Sequence, residues 1–562
     1  MLVLGISDLE HDTAAALLNE RGLVAAVEED KLSRTVPGAG LPRLGVAHCL
    51  RETSAENADL SAVALATRPK RAWLRAEAAR LHLPGSRPGE SAGRNGSDGI
   101  LWKLGQLQLL RRELGAGIPL LQFEHHLCHA ASAFYPSGFD RALVLTLDQS
   151  GDMWSGLIAV GEGTDLYVLR PIRFPHSLGW FYSQVTELVG FRPGHDEHKV
   201  QWLSKEGSPE FVDVFRRQFS TSSDDIPVLS PRRFGNGNGN HSGFLAELKR
   251  DLHLADSASP CEGALRAAIA RSAQDFLEET VVKLADTYRR KTGAKHLCVA
   301  GGVFLNVLLI RALERQAGFD KVFVQPVSGN AGSALGAAYL ARKHMNGNGS
   351  REGLAHLYLG PGFGEEEIKA VLDNCKAIYR YLPSDKQLLD ETVRLLREDK
   401  VVAWYQGRLE FGHRALGNRS ILASPFSPYV TENLNQYVKH REDFHPFALS
   451  VPVENASDIF DCTDNCRFMS SIGTLKDASH ELDRFAFNLR SIRIHTVEKQ
   501  VNPRFWALLH TFGKDAPAPV LVNTSFNLFG EPLVCDPREA VRSFFCSGID
   551  ALVMGNFLVV KP

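Results

Sequence analysis

The sequence predicts an α/β protein of two domains, the first built from two similar lobes. Three observations carry that expectation. A strand pattern occurs twice in the first part of the chain, two glycine-containing strand-to-helix turns follow one another, and a Gly/Asn/Ser stretch near residue 350 precedes fresh strand and helix signals. The chain has 562 residues, which at roughly 150 residues per domain allows about two to four cores. Apolar residues make up 44% and charged residues 23%, so disorder, collagen-like repetition and a coiled-coil rod lack compositional support.

The first copy of the strand pattern opens the chain. LVLGI (2–6) ends in a polar loop with His11 and Asp12, and AAALLN, a turn at 20–22 and LVAAVEED follow. The second copy runs ALVLTLD (142–148), ending in Asp148, then a polar loop, SGLIAVGEG and LYVLRPI. Duplicated units of this kind, each continued by helices, are what an actin- or hexokinase-like fold needs, and such folds close a nucleotide between their lobes. The opening apolar run breaks at Ser7 and Asp8, too early for a signal peptide or a membrane span.

A helical pattern over 262–290 leads to HLCVAGGVFLN, where a strand at 297–300 meets Gly301 and Gly302 and then a helical run. Backbone N–H groups at such a helix start can face phosphate without a Cβ in the way. VFVQP (322–326), the loop SGNAGS and the helical ALGAAYLARKH repeat the arrangement. The segments 84–98 and 235–240, dense in Gly, Asn and Ser, read as exposed insertions. The predicted division is 1–345, a linker at 346–352, and 353–562.

Lys plus Arg (63) nearly balance Asp plus Glu (65), so a broad polyanion-binding surface is not expected and nucleic acid is an unfavoured partner. Nine cysteines lie scattered without a CxxC pair, which points to a reducing cytoplasm rather than a disulfide framework, and Cys462 and Cys466 lack the second pair a zinc ribbon needs.

Chemistry concentrates in two places. In HHLCH (125–129), His125 and His129 share a face if the segment is helical, and Asp148 at the end of its strand can add an oxygen. A mixed His/carboxylate set suits iron, manganese or zinc. His126 with His129 is the competing pair. In the second part, VVAWYQGRLEFGHRALGNRS (401–420) carries Arg408, Arg414 and Arg419, and YVKHREDFHPFA adds Lys439 and Arg441. Five cations among apolar and Gly residues point to a pocket for a phosphorylated substrate, against the plainer reading of a solvated run paired with Glu410, Glu442 and Asp443. PVLVNTSFN (519–527) ends a strand in Asn523 and Ser525, which can hydrogen-bond a planar carbonyl or form a local turn. No Walker A loop, G-x-S-x-G elbow or HExxH is present in the sequence.

Taken together, LGISDLEHDTAAALL, HHLCHAASAFYPSGF, LDQSGD, HSLGWFYSQVTELVGF, VAGGVFLN, ALGAAYLA, QGRLEFGHRALGNRSILA, KHREDFHPFA and NTSFN closely resemble the O-carbamoyltransferase family of nodulation-factor and antibiotic biosynthesis. The resemblance runs the length of the chain. It implies an N-terminal domain similar to the tRNA threonylcarbamoyladenosine transferases and a C-terminal domain similar to the threonylcarbamoyl-adenylate synthases. It further implies that carbamoyl phosphate and ATP, with Mg²⁺, give carbamoyl-adenylate, whose carbamoyl group passes to a hydroxyl of a small natural product or sugar.

Carried to matching positions, His125, His129 and Asp148 are expected to ligate a divalent metal, iron(II) in the family. His11, Arg493 and Lys439 are expected to take part in catalysis. Asp12, Glu197, Lys199, Gly301, Gly302, Asn306, Asn330, Gly332, Arg414, Arg419, Arg441, Asn523 and Ser525 are expected to contact substrate or nucleotide. The sequence departs from the family where Asn330 replaces an Asp that is a fourth metal ligand. It also departs at QWLSKEG (201–207), and at His413, His445 and His495 in the basic motifs. Those departures leave a catalytically reduced nucleotide-binding or scaffold protein as the alternative. An actin-like kinase or ATPase leaves the arginine cluster unexplained. Neither the acceptor nor the oligomeric state is written in any motif.

Overall fold

A computed structural model of the chain describes residues 1–36, 39–68, 100–115, 117–222, 224–230, 241–254, 263–346, 351, 353–477, 481–482, 491–528 and 530–561. The expected insertions 84–98 and 235–240 lie outside them, as do 347–350 and 352 of the expected linker 346–352. The chain falls into two compact units, Met1–Val24 with Pro37–Leu354, and Ala25–Val36 with Ala355–Pro562. The departure of Ala25–Val36 to the second unit has no counterpart in the division drawn from composition.

The strand repeat is realised as two sheets of the same order. In the first, β1 (Val3–Ile6), β2 (Ala14–Asn19), β3 (Gly22–Glu28), β4 (Ala62–Leu65) and β5 (Leu120–Gln122) lie in the order 3-2-1-4-5. In the second, β6 (Arg141–Gly151), β7 (Trp154–Glu162) and β8 (Asp165–Arg173) are followed by β11 (His296–Ala300) and β12 (Lys321–Val324), in the order 8-7-6-11-12. A minor ladder of β9 (Phe219–Thr221) and β10 (Pro227–Leu229) intervenes in sequence. Each lead strand, β1 or β6, pairs antiparallel with the next strand and parallel with the one reached by a long crossover. Such lead strands are covered on both faces, which is why they read as unbroken apolar runs. All four residues of β1 are buried. This is the two-lobed α/β fold that the repeat predicts.

The Ala-rich pattern after SGNAGS forms the helix Asn330–Asn346, which packs against β1 and the helix His125–Phe134. The approach is close enough to require glycine. A Cβ on Gly5 would stand 2.0 Å from the carbonyl oxygen of Ala334, and one on Gly336 would stand 1.8 Å from that of Cys128. Both obstacles are backbone, so no side chain can move aside.

The second unit is built on one ten-stranded sheet. Its strands are β13 (Tyr379–Tyr381), β14 (Val402–Tyr405), β15 (Arg419–Ala423), β16 (Ala448–Pro452), β17 (Phe460–Asp461), β18 (Ile472–Leu475), β19 (Ser491–Val497), β20 (Leu521–Ser525), β21 (Ala551–Met554) and β22 (Phe557–Val560), in the order 13-22-21-14-15-20-16-19-18-17. Apolar clusters cover its two faces. Ile492, Ile494 and Val522 belong to one cluster, Val497 and Leu521 to the other. Side chains alternate along a strand, so Arg493, His495, Asn523 and Ser525 all fall on the face of Val497 and Leu521. Among the described residues no helix is long and apolar enough to cross a membrane.

Replacing Gly336 by Ala is expected to destabilise the first unit by about 3 kcal/mol, the upper range for overpacking against an immovable partner. Urea unfolding followed by near-UV circular dichroism measures it, and an unchanged midpoint would show that the helices can part.

Candidate functional site

In the first unit, the helix His125–Phe134 starts at a pair of carboxylates. Glu124 accepts from the Leu127 N–H (2.8 Å), and Asp152 accepts from the N–H groups of His125 (3.1 Å) and Arg68 (2.7 Å) and from the Thr67 hydroxyl (3.1 Å). Acceptors at a helix start satisfy orphan donors and favour the helix dipole. Burial, reinforced by Asp152, pushes the Glu124 carboxyl up to about 7.

One turn apart on this helix, His125 and His129 aim their Nε2 atoms at each other, 3.0 Å apart. Asp148, at the end of β6, brings Oδ2 to 3.3 Å from His129 Nε2 and accepts the Gly302 N–H at 3.2 Å. The three donor atoms lie within 4.8 Å of one another. Ligands about 2.1 Å from a tetrahedral ion stand about 3.4 Å apart, so the set fits a divalent ion. Burial alone would neutralise Asp148, but the imidazoles around it, His129 first, hold its carboxyl far below the usual range. Burial likewise opposes a charge on His125, yet Asp8, Asp148 and Asp152 outweigh it and raise the imidazole to about 9. Burial, with the charge on His125, lowers His129. A bound ion therefore replaces a proton.

Two supporting residues escaped the sequence reading. Asp8 Oδ2 lies 3.6 Å from His125 Nδ1, the place of the outer carboxylate that orients an imidazole when it holds a metal. Gly151 leaves room for the ring, because a Cβ there would stand 2.2 Å from His125 Cδ2. The only sequence signal for Asp8 was its place at the end of the opening strand. The competing pair is not formed, since His126 uses Nδ1 on the Thr146 hydroxyl (2.9 Å) and Nε2 on the Trp154 carbonyl (3.2 Å).

Asn330 accepts the Ser333 hydroxyl at Oδ1, 3.4 Å away. Its Nδ2 donates to the carbonyls of Asp8 (3.0 Å) and His11, tying that loop to the start of the helix Asn330–Asn346. A carboxylate there would face two carbonyl oxygens, so the amide suits this loop. His11 and Asp12 pair through Nδ1 and Oδ2 at 3.1 Å, with side chains 59% and 61% exposed.

Other expected contacts in this unit have local partners. Asn306 caps the helix Val307–Gln316 through the N–H groups of Leu308 and Leu309 and pairs with Gln274. Glu197 accepts from the Ser183 hydroxyl and the Gly194 N–H, both at 2.6 Å. Lys199 stands 3.6 Å from Asp196. Gly301, at φ +102°, and Gly332 lie where a Cβ would meet Leu147 and Val327 carbonyls at 2.2 and 1.9 Å, and a Cβ on Gly302 would reach Asp148 at 3.0 Å.

In the second unit, the segment 406–420 is folded around two buried charges. Glu410 Oε1 accepts the N–H groups of Leu416 (2.8 Å), Asn418 (2.9 Å) and Arg419 (3.1 Å). Arg419, wholly buried, donates to the carbonyls of Gln406, Gly407 and Asn418 and lies over the Tyr405 ring. Arg408 similarly holds the carbonyls of Leu359 and Gly360. Arg408 and Arg419, grouped from the sequence among the cations of a phosphate pocket, thus donate to backbone carbonyls.

The loop they shape presents Arg414, which joins Lys439, Arg441 and Arg493. Burial pushes Arg414 and Arg441 each down to about 10, Arg414 being lowered next by Arg441. Burial and then neighbouring arginines push Lys439 and Arg493 well below their ordinary values. Glu442 acts against the lowering of Arg441. Lys439 is held by neutral oxygens, at 3.2 Å from Ser525 Oγ and 2.8 Å from Asn527 Oδ1. Asn523 donates to the Ala415 carbonyl (3.2 Å) and to Ser450 (3.0 Å), whose hydroxyl also meets His495 Nδ1 at 3.0 Å. Its buried Oδ1 has no hydrogen-bond partner. Converging cations with few counter-charges, beside an idle acceptor, match a polyanion that also carries N–H groups.

Elemental analysis is expected to find the divalent ion lost from His129→Ala and kept in His126→Gln, which gives up a structural hydrogen bond; retention by His129→Ala would refute the three-donor centre. A bound anion favours the Lys439 ammonium that burial and Arg441 disfavour, so on the alkaline side of the lowered Lys439 value pyrophosphate binding is expected to take up protons and to weaken as pH rises. Calorimetry in buffers of different ionisation enthalpy reads this, and identical heats would contradict it.

Two family models match the chain, "Carbamoyltransferase N-terminus" over residues 2–339 and "Carbamoyltransferase C-terminus" over 393–561. The uncharacterized protein sll1178 of Synechocystis sp. is 34% identical across all of this chain and 96% of its own length. Nodulation protein NolNO of Sinorhizobium fredii is 32% identical over 98% of this chain and 79% of its own. The 3'-hydroxymethylcephem-O-carbamoyltransferase of Amycolatopsis lactamdurans is 32% identical over 46% of this chain and 48% of its own. Full-length HypF in its phosphate- and nucleotide-bound form covers 62% of this chain and 56% of its own at 13% identity, with a TM-score of 0.37, too distant a match to bear on the site. The chain belongs to the carbamoyltransferase family.

Proposed function

We propose that the protein is an ATP-dependent O-carbamoyltransferase, using carbamoyl phosphate and Mg²⁺-ATP to carbamoylate a hydroxyl of a small natural product or sugar. The observation that carries this reading is the convergence of Arg414, Lys439, Arg441 and Arg493, buried side chains that lower one another's proton affinity. Phosphoryl oxygens supply the missing negative charge, and Arg forks match them two at a time.

The first half-reaction belongs to the second unit. Its balance requires one water, which cleaves carbamoyl phosphate to carbamate and phosphate. A carbamate oxygen then attacks the α-phosphorus of ATP, the bond to the β-phosphate breaks, and carbamoyl-adenylate and pyrophosphate form. The four cations bind the phosphates and offset charge gathering on the leaving pyrophosphate. The idle Asn523 Oδ1 accepts from the carbamoyl amide.

The second half-reaction belongs to the first unit. When bound at His125, His129 and Asp148, iron(II) supplies a Lewis acid for the carbamoyl carbonyl. Burial opposes a charge on His11, but Asp12, 3.1 Å from Nδ1, outweighs it and raises the imidazole to about 9, so Nε2 is the basic nitrogen of the neutral form that grows as pH rises toward that value. His11 takes the proton of the acceptor hydroxyl at that atom as the oxygen bonds to the carbamoyl carbon and AMP departs. The name of the cephem relative supports a hydroxymethyl group as one acceptor chemistry.

Mass spectrometry of the protein with ATP, carbamoyl phosphate and Mg²⁺ tests the reading. Expected are AMP and carbamoyl-adenylate, with Arg414→Met at least about a hundredfold slower because a preorganised charge is lost. His129→Ala is expected to keep the adenylate and lose only transfer. ADP with phosphate would replace this reading by that of a kinase or ATPase, and no turnover would leave a binding protein.

A further inference from the structure

The short segment that leaves the first unit for the second carries a buried ion pair for which the proposed reaction has no use. Lys31 and Glu28 are 4% and 7% exposed, and Lys31 Nζ stands 2.9 Å from Glu28 Oε2. Both side chains close on one residue of the arginine loop. Glu28 Oε1 accepts the Gly412 N–H at 2.6 Å, and Lys31 Nζ donates to the carbonyls of Gly412 (2.5 Å) and Glu410 (2.9 Å). Gly412, at φ +102°, adopts a backbone conformation that only glycine enters without strain. Around the pair, Val27 and the partly buried Leu32 pack with Leu409 and Ala415, the second of which adjoins Arg414 in sequence.

A buried ammonium and carboxylate are costly unless their geometry is good and their remaining bonds are made. Here the pair meets itself and the backbone two to four residues before Arg414. We propose that Glu28 and Lys31 are positioning residues for the anion site, holding Glu410–Gly412 so that Arg414 stands in place among the other cations. The proposal rests on the reading of Arg414, Lys439, Arg441 and Arg493 as a phosphate site. Arg34 anchors the same segment elsewhere, to the carbonyls of Leu533 (2.8 Å) and Pro532 (3.0 Å) and to Glu531 and Glu539. It therefore separates anchoring of the segment from positioning of the loop.

Calorimetric titration of the full chain with inorganic pyrophosphate tests the proposal on wild type, Lys31→Met, Lys31→Arg, Glu28→Gln and Arg34→Met, with thermal melting as the parallel readout. Lys31→Met is expected to bind pyrophosphate about tenfold more weakly or worse, since small misplacement of a charged donor is costly. Lys31→Arg recovers most of that loss, and Glu28→Gln shows a smaller loss of the same sign. Arg34→Met melts lower but keeps wild-type affinity. If Lys31→Met does not fold, Glu28→Gln decides. Wild-type binding with unchanged Lys31→Met and Glu28→Gln overturns the positioning role alone. Equal weakening by Arg34→Met overturns it as mere anchoring. No binding by wild type removes the phosphate reading and the proposal with it.

Discussion

Four cations repel one another in the second unit, and much of its local structure serves to hold them together. Two like charges about 6 Å apart cost about 3 kcal/mol at an effective dielectric constant near 20, and burial adds to that cost. Arg414, Lys439, Arg441 and Arg493 meet it with different devices. Lys439 is wrapped by oxygens of Ser525 and Asn527, Arg441 leans on Asn435 and the Phe447 ring, and Arg493 is fixed by its strand. Arg414 sits on a loop whose backbone is gathered by the carboxylate of Glu410 and the guanidinium of Arg419. Two more buried charges, at the core of a basic motif, thus act on main-chain atoms.

The first unit shows the opposite charge problem with the same kind of solution. Two imidazoles and a carboxylate converge on one point, and the carboxylate of Asp8 stands behind one imidazole. Glycine makes the convergence possible, at Gly151 beside His125 and at Gly336 against the next helix. Positive charge is gathered in one unit and a donor set that could hold a cation in the other.

The fold was legible because its strands are short, apolar and separated by polar loops, so the repeated order of β1–β3 and β6–β8 stood in the sequence as a repeated pattern. The spacing of His125 and His129 was legible for the same reason, since a helix brings such positions together. Arg414, Lys439 and Arg441 could be grouped by nearness in sequence. The separate duty of Arg419 could not, because nothing in a run of arginines says which guanidinium will meet carbonyl oxygens. Asn330 was read as a substrate or nucleotide contact standing where the family has a metal-ligating Asp; its amide's donation to the Asp8–His11 loop gave no signal, because it depends on backbone atoms more than 300 residues away in sequence. Glu28 and Lys31 gave no signal, since LVAAVEED reads as an ordinary strand with a polar end. Their partners at Gly412 emerge only when Ala25–Val36 is seen in the second unit.

The central claim is that the four-cation cluster exists to hold phosphate. A difference map from crystals soaked in pyrophosphate tests it most directly. The account predicts density with oxygens within hydrogen-bonding distance of Arg414, Lys439, Arg441 and Arg493. Pyrophosphate bound instead at the Gly301–Gly302 turn of the first unit, with the cluster empty, would contradict it.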